Sequence, residues 1–74
     1  MNRRKIKAKM VFHGYNADAI VDALNAKGVD ISRNTWYRKI RGDSEFTLGE
    51  IVGIVKVLEL ADDEIIDIFF EGRR

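Results

Sequence analysis

The chain has no cysteine, no proline and one histidine, His13, in 74 residues. Without cysteine there is no disulfide staple and no thiolate metal site, which fits a reducing, cytoplasmic setting. Long apolar runs are missing too. Uninterrupted stretches such as Ile68–Phe70 are three residues long, far short of a membrane span. The opening Met1-Asn2-Arg3-Arg4-Lys5 is basic, but no apolar segment follows it, so it does not read as a secretory signal. Catalytic signatures are also lacking: neither HExxH nor GxSxG occurs, and no glycine-rich phosphate loop is present. His13 reads as a helix-end residue and the acids Asp62, Asp63, Glu64 and Asp67 as a helix start, where their charge is favourable. These absences predict a binding module with no catalytic residue, no metal, no cofactor and no small-molecule substrate.

The residues present describe one small domain. Hydrophobic residues make up 46% and charged residues 34%, a globular composition. A chain this short buries only roughly 60% of its unfolded surface, so its core must be economical. The formal net charge of +1 conceals a division along the sequence. Residues 1–42 hold ten Lys or Arg against three acids, and residues 43–74 hold three against nine. The first half therefore suits a polyanionic partner, or else simply carries charged helix faces.

Glycine provides the punctuation. Gly14, Gly28, Gly42 and Gly72 each follow a segment with helix-period apolar spacing, where a left-handed residue commonly ends a helix. The spacing predicts five helices over residues 3–13, 17–27, 33–41, 48–59 and 62–71. Their apolar positions are Ile6, Met10 and Phe12; Ile20, Val21 and Leu24; Trp36 and Ile40; Leu48, Ile51, Val52, Val55 and Leu58; and Ile65, Ile66 and Phe69. Starts are well marked. Asn16, Ser32 and Thr47 are N-caps flanked by apolar staples, and Glu50 completes a capping box with Thr47. For the last helix Asp62 is the better cap chemically, whereas Leu60 and Ile65 staple around Ala61. Around Trp36 the pattern predicts Ile20, Leu24, Ile51 and Val55.

The third helix carries the functional signal. At about 100° per residue Trp36 and Ile40 face the core, and Asn34, Arg38 and Arg41 fall on the opposite side. Thr35 and Tyr37 lie on the flanks, and Arg33 projects from the first turn. Arg matches guanine O6 and N7, and Asn matches adenine N6 and N7, in the major groove. The residues by themselves allow a DNA-reading face or a solvated one.

The run Ser32-Arg33-Asn34-Thr35-Trp36-Tyr37-Arg38-Lys39-Ile40-Arg41-Gly42 resembles the recognition helix of the phage repressor/Cro-type (XRE) helix-turn-helix family. Tyr15 to Leu24 is similar to that family's supporting helix. Phe46 to Leu60 and Asp62 to Glu71 resemble its fourth and fifth helices. The resemblance covers about residues 5–71 and implies an all-α, five-helix, lambda-repressor-like domain. It further implies a transcriptional repressor of phage or prophage type, binding double-stranded DNA in the cytoplasm. Carried over, it assigns base reading to Arg33, Asn34 and Arg38, and DNA backbone contact to Asn16, Thr35, Tyr37, Lys39 and Arg41.

The chain departs from the family in three places. Ala17 stands where the family commonly has Gln. The loop after the third helix holds Asp43 and Glu45, which repel phosphates. Leu24 and Ser32 are separated by five more residues than the family usually has, so that either the second helix gains a turn or the connection loops out. These departures favour the rival expectation, a helical protein-interaction module of antitoxin or anti-repressor kind. Homodimerisation is expected on the family resemblance, with Ile68, Phe69 and Phe70 as candidate interface residues or as plain core.

Overall fold

The capping residues set the helix starts. In the structure, a computed structural model that describes residues 1–70, five helices run α1 Arg3–His13, α2 Ala17–Ala26, α3 Arg33–Arg41, α4 Leu48–Val57 and α5 Asp62–Phe69. Asn16 accepts from the Ala19 N–H at 2.8 Å, Ser32 from Thr35 at 3.2 Å and Thr47 from Glu50 at 3.2 Å. Each fixes an orphan amide at its helix start. Glu50 returns the bond, accepting from the Thr47 N–H at 2.8 Å, which closes the capping box. The last helix begins after Ala61 and not Asp62. Alanine has no acceptor to offer, so half a box forms, with Glu64 accepting from the Ala61 N–H at 3.0 Å. Gly14 and Gly42 end α1 and α3 in the left-handed conformation. Gly72 and Glu71, expected at the end of α5, lie outside the described residues.

Two helices stop earlier than their apolar patterns suggest. α4 ends at Val57 because Glu59 adopts a left-handed conformation (φ 52°) and the Leu60 N–H turns back to the Val55 carbonyl. α2 ends at Ala26, where Gly28 (φ 86°) allows the Val29 N–H to reach the Leu24 carbonyl. The additional residues between α2 and α3 therefore loop out and do not lengthen α2. That loop is anchored: Ile31 is buried in the core and Val29 packs against it.

α2 packs on both α3 and α4, and α1 packs on α5. Ile6, Ile20, Leu24, Trp36, Ile54 and Leu58 are the largest fully enclosed side chains. Phe46 joins them, its ring centroid 5.5 Å from that of Trp36. The core differs from the apolar pattern at three helices; on α5 Ile68 is buried with Phe69, and Ile65 and Ile66 are only half-buried. On α1, Ile6 and Met10 are buried but Phe12 is 77% exposed. Two residues beyond Met10 is about 200° round the helix, so Phe12 cannot share its face. On α4 the buried face is Glu50, Gly53, Ile54 and Val57. Ile51 and Val55 are only half-buried, and Leu48 and Val52 are exposed. α4 is apolar on nearly every side, so periodicity alone admits more than one inward face. The capping box and Gly53 select the observed one. Of the candidate dimer residues, Ile68 and Phe69 belong to this core and only Phe70 is exposed.

The two glycines inside α4 have opposite surroundings. A Cβ at Gly53 would stand 2.7 Å from Val29 Cγ2 and 3.0 Å from Leu24 Cδ2, whereas a Cβ at Gly49 would meet nothing within 4 Å. Val29 is β-branched and stiff, so it does not yield cheaply. Gly49→Ala should therefore stabilise the fold by about 1 kcal/mol through helix propensity. Gly53→Ala should destabilise it by about 1–2 kcal/mol despite the same gain, because overpacking outweighs it. Urea-unfolding midpoints of the two variants should move in opposite directions. Shifts of the same sign would mean that Gly53 is not the contact point between α4 and the α2–α3 loop.

Candidate nucleic-acid interface

α3 stands on Trp36 and Ile40, which are 1% and 6% exposed. Burying that side turns the opposite one outward. Asn34, Thr35, Tyr37, Arg38 and Arg41 line one shallow, open concavity on the outer surface. Within it the side chains of Asn34 and Arg38 make no hydrogen bond or ion pair with any described residue. Arg41 is engaged, with Nη2 3.1 Å from Asp43. Thr35 Oγ1 accepts from the Ser32 hydroxyl at 3.0 Å. Five of the eight residues singled out from the sequence thus come together on one surface.

The other three are placed differently. Arg33 Nη1 lies 2.9 Å from Asp18 Oδ1, an exposed ion pair between the first turns of α3 and α2. Asn16 uses its side-chain oxygen to cap α2, which leaves the amides of that first turn as its means of holding an anion. Lys39 is turned away from the outer face altogether. Its ammonium sits 2.6 Å from Glu50 Oε1, with side chains 12% and 9% exposed. Three residues beyond Trp36 is only about 60° from it round the helix, so Lys39 borders the buried side. Its expected phosphate contact is replaced by this buried pair.

That pair shapes the electrostatics of the α3–α4 junction. Burial pushes the Glu50 carboxyl up, but the hydrogen bonds from Lys39 and the Thr47 N–H outweigh it and hold the group below its ordinary range. Glu64, at the start of α5, is also held low, first by the Ala61 N–H and then by Lys9.

Arg3 is the residue that sequence reasoning missed. Its Nε donates to the Lys39 carbonyl at 2.9 Å, and its guanidinium stacks within 3.5 Å of where a Gly42 Cβ would be. From the start of α1 it adds a second donor to a last-turn carbonyl of α3 that also accepts from the Gly42 N–H at 3.1 Å, a long-range contact that no local pattern announces. The rest of the basic first segment is helix surface and not a free arm. Lys5 pairs with Asp67, and Lys9 Nζ is 2.7 Å from Glu64, so α5 neutralises much of α1. Asp43 and Glu45 also have cationic partners, Arg41 and Arg3, the latter at 3.6 Å. The charge division seen along the sequence is therefore closed in part in space, and the outer face of α3 keeps Arg38 unpaired. No described helix is long and apolar enough to cross a membrane. The chain matches no protein-family model, no curated protein and no solved structure.

Proposed function

We propose that the chain is a helix-turn-helix domain that binds double-stranded DNA and regulates transcription, with α2 as supporting helix and α3 as reader. The observation that carries this reading is the outer face of α3, where Asn34 and Arg38 stand one turn apart, unbonded, in one concavity. On this reading Arg38 addresses guanine and Asn34 adenine, each by two parallel hydrogen bonds. Thr35, Tyr37 and Arg41 contact sugar, phosphate or thymine methyl groups beside them, and the first turn of α2 faces a phosphate. Arg33 reaches a base only by leaving Asp18, an exchange that two exposed groups make at little cost. The sequence resemblance to phage repressors supports gene regulation as the setting of that binding.

A second reading, a protein-interaction module, draws on the Arg33–Asp18 and Arg41–Asp43 pairs, which lower the positive potential of the same face.

In-vitro site selection distinguishes them. Wild type should enrich a defined sequence, with affinity that falls steeply with salt because each neutralised phosphate contributes about −0.9 to the log–log slope. Asn34→Ala and Arg38→Ala should each cost about 1–3 kcal/mol on the selected site and relax one position. Lys7→Ala, on exposed α1 surface, should weaken all sequences slightly and alike. No duplex binding in low salt would establish the interaction module instead. An unchanged preference in both α3 variants would remove α3 as the reader.

A further inference from the structure

The reading of α3 leaves one acid beside it without a task. Asp18 stands in the first turn of α2, where negative charge is favourable. Its carboxylate makes no hydrogen bond to the amides of that turn, and the Ala19 N–H is already taken by the Asn16 side chain. Asp18 reaches across to α3 instead, where Oδ1 lies 2.9 Å from Arg33 Nη1. The two side chains are 61% and 60% exposed, so the pair is open to exchange with an outside ligand. It joins the first turns of the two helices assigned to DNA, and Asn34 is the next residue along α3.

We infer that Asp18 is a specificity-determining residue of this face, and that the base it reads is cytosine. The inference rests on the DNA-binding reading above. When Arg33 turns to a guanine, the Asp18 carboxylate is left a few ångström behind without its counter-charge. The DNA backbone offers it only phosphates, which repel it. Donors in the major groove are cytosine N4 and adenine N6. Adenine sets the acceptor N7 beside its donor, and guanine and thymine present acceptors. Cytosine presents a donor and no acceptor. A G·C pair therefore shows acceptors on one base and a donor on the other, the complement of an Arg–Asp pair.

The ion pair of the free protein is thus exchanged for guanine on one side and cytosine on the other. On any other sequence the carboxylate either keeps Arg33 to itself or faces the DNA uncompensated. Asp18 weakens binding in general and sharpens it at one position, and the ratio of specific to non-specific binding rises.

Fluorescence anisotropy of the full chain tests this on the duplex that site selection returns and on a scrambled duplex of equal length. Asp18→Ala should bind the scrambled duplex about three- to tenfold tighter, since Arg33 is freed for phosphate and a repelling carboxylate is gone. On the selected duplex it should gain nothing. Replacing one C·G pair of the site should cost wild type about tenfold and Asp18→Ala almost nothing. Asp18→Asn keeps the size of the side chain and drops its charge, so the gain on the scrambled duplex should recur there. Equal gains on both duplexes with every base preference intact would mean that the carboxylate only repels phosphate, which overturns the inference and leaves the DNA reading standing. An Asp18→Ala variant that binds the scrambled duplex no tighter than wild type overturns it as well. A wild type that binds no duplex in low salt removes the DNA reading itself, and this inference with it.

Discussion

Trp36→Ala should remove about 3–5 kcal/mol of stability, the usual cost of truncating a large core aromatic. The position is the centre of the molecule: Trp36 is 1% exposed and its ring meets Phe46 at 5.5 Å. It shares the buried core with Ile20 and Leu24 of α2, the helix on which α3 packs. At roughly 0.05–0.15 kcal/mol per residue, 74 residues hold about 4–11 kcal/mol in all. The variant should therefore be largely unfolded, or close to its midpoint, at room temperature. Urea unfolding followed by circular dichroism measures the loss. The native emission of this single Trp should be blue-shifted and should move red on unfolding. A water-like native spectrum, or a loss below about 1 kcal/mol, would mean that α3 is not seated on Trp36.

Glu50→Ala should be the second most damaging change, at about 3–5 kcal/mol, because it leaves the enclosed Lys39 ammonium without its counter-charge. It also removes the acceptor for the Thr47 N–H. Glu50→Gln keeps an acceptor for that N–H, so it should cost less. Lys39→Met combined with Glu50→Gln should cost less than the two single changes added, since no buried charge is then left alone. The pH dependence carries its own sign. The Glu50 carboxyl lies below its ordinary value of 4.5, so the stability it contributes is full above that value. As pH falls through the lower folded-state value, that contribution is lost. Glu64 shifts in the same direction and acts in the same window. Wild type should lose stability on acidification below about pH 4.5, and Glu50→Gln should show a shallower acid limb. Urea midpoints measured from pH 2 to 7 decide it. Identical acid limbs in wild type and Glu50→Gln would show that the pair does not contribute.

The outer face of α3 was legible in part, for reasons specific to each residue. Asn34, Arg38 and Arg41 fall opposite Trp36 by helical geometry alone, and once Trp36 must be buried the outward face is fixed. Lys39 was misplaced because its type suggests phosphate contact, while its position beside the buried side gives it to Glu50. The 60° separation from Trp36 held that information, but the acceptor eleven positions later did not announce itself. Arg33 met Asp18, and Arg3 met the end of α3, across pairings that no spacing rule contains.

The sequence by itself determined the helices. Asn16, Ser32 and Thr47 cap their own amides, and Gly14, Gly28 and Gly42 turn the chain within a few residues of where each stands. Such signals are local, so a linear reading contains them. The tertiary structure decided which side of α4 faces inward, where the loop after α2 is anchored, and where the charges of α1 end. α4 is apolar on several sides and offered no preference of its own. Its orientation follows from Gly53 admitting Val29 and Leu24 and from Glu50 meeting Lys39, contacts between residues 11 to 29 positions apart. The excess of cations in the first half was plain in the sequence. Its neutralisation by Glu64 and Asp67 needed α5 to pack on α1, which only the fold supplies.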